Sequence, residues 1–221
     1  MSESTLLQIE NLVCRGFSKT GDIILELTSQ RFHERSWYRI AGDSGSGKTV
    51  LLKTIAGMNP FEGTIRLRNV ALQSTVLSEW RKRILFLPSN PIPLANTVGE
   101  AIQLPFVWRG IVPPDTTSIE ECLQKFSLTC LCDTSTANLS TGEKMRLSLA
   151  RAFLLRPELL LLDESLAPLD TGNRLLAITA FQELTDMHGT TIIWVDHNHP
   201  ELTISPENTI DLQSGTARIV V

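Results

Sequence analysis

Gly42-Asp43-Ser44-Gly45-Ser46-Gly47-Lys48-Thr49 fits the pattern G-x-x-x-x-G-K-[ST] of a phosphate-binding loop. Each residue type answers a chemical need. The glycines let the backbone curl so that several N–H groups point inward at phosphate oxygens. Asp43, Ser44 and Ser46 fill the positions between them. Lys48 brings a positive charge to β- and γ-phosphates, and the Thr49 hydroxyl suits Mg2+. The flanks agree. Trp37-Tyr38-Arg39-Ile40-Ala41 reads as a strand and Val50 to Ala56 as a helix. A phosphate held here rests on a helix N-terminus, where orphan N–H groups and the helix dipole favour an anion. The loop alone indicates a nucleoside triphosphate and leaves the purpose of any hydrolysis open.

The 221 residues suit one α/β domain, or one domain with an inserted lobe. A net charge of -4 supplies no basic field for nucleic acid. The longest apolar runs, Leu159 to Leu162 and Ile192 to Val195, have strand length, too short for a bilayer. Met1 to Thr5 lacks the basic and apolar regions of a signal peptide, so a cytoplasmic location is expected. Cys14, Cys122, Cys130 and Cys132 are then reduced thiols. Cys130-Leu131-Cys132 lacks a second ligand pair nearby and reads as small packed side chains rather than a metal site.

Residues 5–13 and 23–27 read as strands flanking a Thr20-Gly21-Asp22 turn, and Glu62 to Leu67 as another. Residues 77–83 look helical, and Arg83 to Leu87 reads as a buried strand ending at Pro88. From Ser89 to about Asn138 the prolines at 91, 93, 105, 113 and 114 punctuate the chain, with helical patches at 97–104 and 118–127. This predicts an inserted helical lobe, with Phe106, Val107 and Trp108 in its core rather than on a partner-docking surface. Ser140 and Glu143 form an S-x-x-E capping box ahead of a helix from Lys144 to Leu155, a second candidate anion site that an ordinary helix cap also explains. Glu158-Leu-Leu-Leu-Leu-Asp163-Glu164 reads as a parallel strand buried on both faces. Ligands in such sheets bind beyond the carboxyl ends of the strands, which places Asp163 to hold Mg2+ and Glu164 to orient or deprotonate a water. Ala167-Pro168-Leu169-Asp170 precedes a further helix, and Thr190 to Val195 is a strand ending at Asp196-His197.

The order of these motifs resembles the ATP-binding cassette ATPases of ABC transporters over nearly the whole chain. Leu139-Ser140-Thr141-Gly142-Glu143 ahead of the Asp163-Glu164 strand is the discriminating part. The Leu104 to Trp108 and Ile192 to His197 stretches look like the ATPase subunit of the Fet-type iron exporter. The resemblance implies an α/β P-loop NTPase core with a parallel sheet, an N-terminal antiparallel β subdomain and an inserted helical subdomain at about 89–145. Residues 1–221 then form a single cassette. It implies ATP and Mg2+ as ligands, with Gly42 to Thr49 on the phosphates and Thr49 and Asp163 serving the metal. Glu164 is implied as the catalytic carboxylate, and His197 as a γ-phosphate contact. Ser140, Thr141, Gly142 and Glu143 would complete the ATP site of a second copy, with Asp170 at the dimer contact. Phe17 is the candidate for stacking on adenine, a place that a buried strand phenylalanine explains as well. The implied partners are a second cassette and a separately encoded integral membrane permease, at the inner face of the cell membrane, with no nucleic acid.

The sequence departs from that family at three positions. Thr141 replaces the usual glycine, Glu143 the usual glutamine, and Ser89 the glutamine that links the metal to the permease. With Ser89 a water must bridge to the metal and coupling is expected to loosen; its neighbour Asn90 is the alternative replacement for the glutamine. The short tail after His197 leads one to expect no C-terminal regulatory domain of the sugar-importer kind. The expected function is the ATPase subunit of an exporter, of the metal or iron kind. A soluble non-transport ABC ATPase acting in DNA repair or translation is the alternative. A small-molecule kinase leaves the Leu139–Glu143 stretch unexplained.

Overall fold

The computed structural model describes residues 4–15, 23–91, 94–129, 132–195, 208–213 and 216–219. The Thr20–Asp22 turn, Phe17, Pro93, Cys130, Asp196 and His197 lie outside them. Ten strands form one sheet in the order β5-β4-β1-β2-β10-β9-β3-β8-β7-β6. They are β1 (Thr5–Arg15), β2 (Ile23–His33), β3 (Trp37–Gly42), β4 (Glu62–Leu67), β5 (Val70–Ala71), β6 (Ile84–Leu87), β7 (Leu159–Asp163), β8 (Thr191–Val195), β9 (Thr209–Gln213) and β10 (Thr216–Ile219). β5, β4, β1 and β2 pair antiparallel, whereas β9, β3, β8 and β7 pair parallel. The fold is therefore α/β, with a parallel core and an antiparallel β subdomain at one side.

The chain divides into two compact units. One holds residues 1–86, 158–164 and 189–221; the other holds 87–157 and 165–188. In the first unit every residue of β7 and β8 is buried, as a parallel strand covered on both faces requires. Leu159, Leu161, Ile193 and Val195 pack in one apolar cluster with Leu51, Leu52 and Ile55 of α1 (Lys48–Ile55). Alternation sends Leu160, Leu162, Ile192 and Trp194 to the opposite face, where Trp194 meets Trp37 edge-on at 6.0 Å. Trp80 of α2 (Leu77–Arg83) is fully buried and donates Nε1–H to the Ile55 carbonyl at 2.8 Å, satisfying a carbonyl at the end of α1.

The imperfect alternation of β1 has a local cause. Leu7 and Ile9 are buried, then Leu12 and Cys14, with the phase shifted at Asn11. Asn11 has φ 48°, and the register against β4 shifts between Glu10 and Val13, which marks a bulge. Gly63 lies opposite; a Cβ there would meet the Asn11 carbonyl oxygen at 2.1 Å, so only glycine fits.

The second unit holds α3 (Val98–Arg109), α4 (Thr116–Lys125), α5 (Thr141–Leu155) and α6 (Thr171–His188). Thr97, Asp115 and Ser140 cap the first three. Phe126 meets Phe153 and Phe181 at 6.0 Å each, tying the end of α4 to α5 and α6. Pro105 does not end α3 as its punctuating role in the sequence suggested. A proline leaves the carbonyl four residues back without its helical donor. That carbonyl, on Ala101, accepts instead from Arg151 Nη1 of α5 at 3.4 Å. Burial pulls the Arg151 guanidinium down to about 10, still protonated near neutrality. The continued helix also divides the expected Phe106-Val107-Trp108 cluster. Phe106 is buried, while Val107 and Trp108 are 59% and 64% exposed. Among the thiols, Cys14 and Cys122 are buried, and burial pushes Cys122 up to about 12.

Glu158, just before β7, accepts from Arg83 Nε at 2.6 Å and Nη2 at 3.1 Å, and from Arg68 Nε at 2.7 Å. Arg68 also pairs with Glu34. The Arg83 and Arg68 hydrogen bonds hold the Glu158 carboxyl below its ordinary range. A depressed carboxyl contributes stability above the unfolded pKa and loses it as pH falls through the folded value. Glu158→Gln is expected to cost about 1 kcal/mol at neutral pH, the partial exposure of the three side chains keeping the figure small. The gap should close below about pH 4. Urea denaturation of both chains at the two pH values checks this.

Candidate functional site

The phosphate loop is set by where β3 ends. Gly42, with φ 135°, closes β3 beside Leu212 of β9, and a Cβ there would meet the Leu212 carbonyl oxygen at 2.3 Å. The loop therefore leaves the sheet by a path that only glycine takes. Gly47, at φ 98°, is the N-cap of α1 and offers no side chain to the first N–H groups. The first turn of α1 carries no acidic residue either. Those donors are oriented and left for an anion.

Lys48 is 6% exposed and bends back over the loop, donating Nζ–H to the Gly42 carbonyl at 2.8 Å and the Asp43 carbonyl at 2.7 Å. The ammonium thus sits inside the curl of the loop and can exchange these carbonyls for phosphate oxygens. The Ser46 hydroxyl is buried without a hydrogen-bond partner. Ser44, Gly45, Gly47, Lys48 and Thr49 line one cleft with Glu164. Ile24 of β2 and Val50 line it too. Nothing in the local sequence marks Ile24 for this place. It arrives through the packing of β2 beneath Gly47, whose Cβ would lie 3.4 Å from the Ile24 carbonyl oxygen.

Thr49 Oγ1 donates to Asp163 Oδ1 at 2.9 Å, joining the start of α1 to the end of β7. Burial raises the Asp163 carboxyl above its ordinary value. The Thr49 hydrogen bond opposes that, and the neighbouring Glu164 charge adds to it. Such a carboxylate gains from a cation. In an octahedral Mg2+ shell with metal–oxygen distances of 2.0–2.1 Å, adjacent ligands lie about 2.9 Å apart. The spacing of Thr49 and Asp163 fits two adjacent corners. Among the described residues no group of three or more His, Cys, Asp or Glu side chains could enclose a metal. Two oxygen donors, a hydroxyl and a carboxylate, match the hard-oxygen preference of Mg2+.

Glu164 has φ 53°, a left-handed conformation uncommon for glutamate. Its N–H donates to the Val195 carbonyl at the end of β8, 3.2 Å away, which holds the turn. The chain thus bends sharply after Asp163, and successive carboxylates serve different places: Asp163 meets Thr49, and Glu164 faces the cleft.

In the helical unit, Ser140 caps α5. Its hydroxyl accepts from the Glu143 N–H at 3.3 Å, and Glu143 Oε2 accepts from the Ser140 N–H at 2.8 Å. Ser140 Oγ–H also donates to Glu143 Oε2 at 2.6 Å. Thr141 is exposed, and nothing lies within 4 Å of the Cβ position of Gly142. Asp170 caps α6, accepting from the Asn173 N–H at 2.9 Å. Ser89 is half-buried and Asn90 exposed, in the segment whose Leu87 carbonyl accepts from Ser165 Oγ–H at 2.7 Å. Sequence reasoning missed Arg146, which bonds to Asn173 at 3.0 Å; only its helical spacing from Glu143 could have drawn attention to it.

Residues 25–167 match the family model described as ABC transporter. The chain is 30% identical over 169 residues to the energy-coupling factor transporter ATP-binding protein EcfA1 of Lacticaseibacillus paracasei, covering 75% of this chain and 61% of that protein. It is 32% identical to the glutathione/L-cysteine transport system ATP-binding/permease protein CydD of Haemophilus influenzae, over 70% of this chain and 27% of that protein. The aliphatic sulfonates import ATP-binding protein SsuB of Granulibacter bethesdensis is 32% identical over 80% of this chain and 68% of its own length. The chain thus spans from about a quarter to about two thirds of these relatives. The structure of a bacterial Atm1-family ABC exporter with ATP bound superposes with a TM-score of 0.82 at 21% identity, over 98% of this chain and 38% of that one. That likeness shows the fold. With the phosphate loop, the Asp163-Glu164 strand end and the Ser140 cap all inside the matched segment, the chain belongs to the ABC transporter family and carries its ATP-binding domain.

Proposed function

We propose that this chain binds and hydrolyses MgATP to power a separate integral membrane permease. It works as a homodimer of cassettes at the cytoplasmic face of the membrane. The observation that carries the reading is the cleft in which Lys48, Thr49 and Glu164 meet, with Asp163 bonded to Thr49. No helix among the described residues is long and apolar enough to cross a membrane. Residues 1–221 act as a single cassette, with the helical lobe inserted in the nucleotide core.

In this reading the loop from Gly42 to Thr49 wraps the phosphates, and the N–H groups at the start of α1 bond their oxygens. Lys48 leaves the Gly42 and Asp43 carbonyls for the β- and γ-phosphates. Thr49 and Asp163 hold Mg2+, which when bound neutralises phosphate charge. Glu164 accepts a proton from the water that attacks the γ-phosphorus; the bond to the ADP oxygen breaks, leaving ADP and phosphate. His197 contacts the γ-phosphate, and Phe17 stacks on adenine. Ser140, Thr141, Gly142 and Glu143 of one copy close over ATP held by the other, with Asp170 at the contact.

For direction we propose export, on the Leu104–Trp108 and Ile192–His197 stretches that look like the Fet-type iron exporter. SsuB, named for import, favours the opposite direction. Purification from membranes tests the main reading: a multi-spanning protein should accompany the chain, and its substrate decides direction. Recovery with ribosomes or DNA and no membrane protein favours the non-transport alternative.

Lys48→Ala should weaken ATP binding about tenfold to a hundredfold, because a charge-assisted phosphate contact is lost. Calorimetry reads this directly, and wild-type affinity in the variant contradicts the reading. Glu164→Gln keeps shape but cannot take the proton. Turnover should fall by about a hundredfold or more while ATP still binds. ATP-dependent dimers should then accumulate on size exclusion. An unchanged turnover rate removes Glu164 from the role of base.

A further inference from the structure

Arg146 lies on α5 one helical turn past Glu143, and its hydrogen bonds among the described residues fall within the helical unit. Its Nη1 donates to the Ser127 carbonyl at 2.7 Å and to Asn173 Oδ1 at 3.0 Å, with a longer approach to the Phe126 carbonyl at 3.5 Å. Ser127 stands at φ 52° in the turn after α4, so this partner comes from a fixed bend. Asn173 passes the link on. Its Nδ2 donates to Asp170 Oδ2 at 2.6 Å while its backbone N–H donates to Oδ1 at 2.9 Å. A continuous run of hydrogen bonds therefore joins α5 to the carboxylate that caps α6. The Arg146 charge also favours the ionised carboxylates at both helix starts, Glu143 and Asp170.

We propose that Arg146 is a positioning residue that, through Asn173, locks the Ser140–Glu143 start of α5 to the Asp170 start of α6, so that both partner-facing segments meet the second cassette as one rigid edge. The proposal rests on the two-cassette reading above. The energetic logic is preorganisation. Two loops that move independently must each be ordered when the dimer closes, whereas linked loops are ordered once. Arg146 bonds to Ser127 and Asn173 and does not line the phosphate cleft, so it acts on dimer closure and not on phosphate binding by the monomer.

The test uses the Glu164→Gln chain as parent. Light scattering gives the ATP concentration for half-maximal dimerisation, and a fluorescent ATP analogue at dilute protein gives monomer affinity. Arg146→Ala and Asn173→Ala should each raise the ATP requirement about tenfold, and the double variant no further, since both break one link. Arg146→Lys should recover most of the loss, because an ammonium can reach the same carbonyls. Monomer affinity should stay at the parent value. Hydrogen exchange should rise at both helix starts together in either single variant. Should Arg146→Ala fail to fold, Asn173→Asp sets a carboxylate against Asp170 and should produce the same shift. An unchanged ATP requirement, additive effects, or faster exchange at one helix start alone overturns the proposal. A parent that never dimerises overturns the two-cassette reading and the positioning role with it, and is told apart because the control itself fails.

Discussion

The hydrogen bond between Thr49 and Asp163 spans 114 residues, and most of the architecture serves to make it possible. Asp163 ends a strand buried along its whole length, so its carboxylate needs a partner or a cation. The strand order sets β8 between β3 and β7, all three parallel, so their carboxyl ends share one edge of the sheet. The loop after β3 and the bend after β7 open there together. α1 then lies over β7 and brings Thr49 to the acid. The left-handed turn at Glu164 depends on the same alignment, since its N–H is held by the last residue of β8.

What was legible in the sequence is what chemistry writes locally. The phosphate loop, the four-leucine strand and the Ser140 cap each lie within a few residues, and each could be read with its structural setting. Glu62 to Leu67 and residues 77–83 were also legible, because their patterns end at glycine, proline or a charge cluster. β9 was not. Ile210 and Leu212 alternate with polar neighbours in a segment too short to stand out, and the strand acquires meaning only from pairing with β3, more than 160 residues earlier in the chain. Pro105 misled for a related reason. A proline breaks a helix unless something satisfies the carbonyl it strands, and Arg151 does so from another helix. Ile24 and Arg146 were invisible likewise, since each is placed by its distant partners and neither carries a pattern of its own.

The structure gives a physical account of one departure from the family pattern, Glu143 in place of glutamine. A neutral amide could accept the Ser140 N–H as well, so hydrogen bonding alone does not favour glutamate. The difference is charge. The Ser140 hydrogen bonds hold the Glu143 carboxyl below its ordinary range, and an anion in the first turn is favoured by the helix dipole. Glutamate therefore stabilises the start of α5 in the free chain.

The same stabilisation opposes the proposed task. The Ser140 hydroxyl, which the two-cassette reading assigns to a phosphate, already donates to Glu143 at 2.6 Å. A phosphate arriving from a second copy must replace Glu143 as the acceptor of that proton and approach a carboxylate of like charge. Arg146 lies one turn along from Glu143, and its hydrogen bond to Asn173 continues to the Asp170 carboxylate. Glu143 thus holds the start of α5 in the free chain, while the Arg146–Asn173–Asp170 hydrogen bonds tie the same helix to the start of α6.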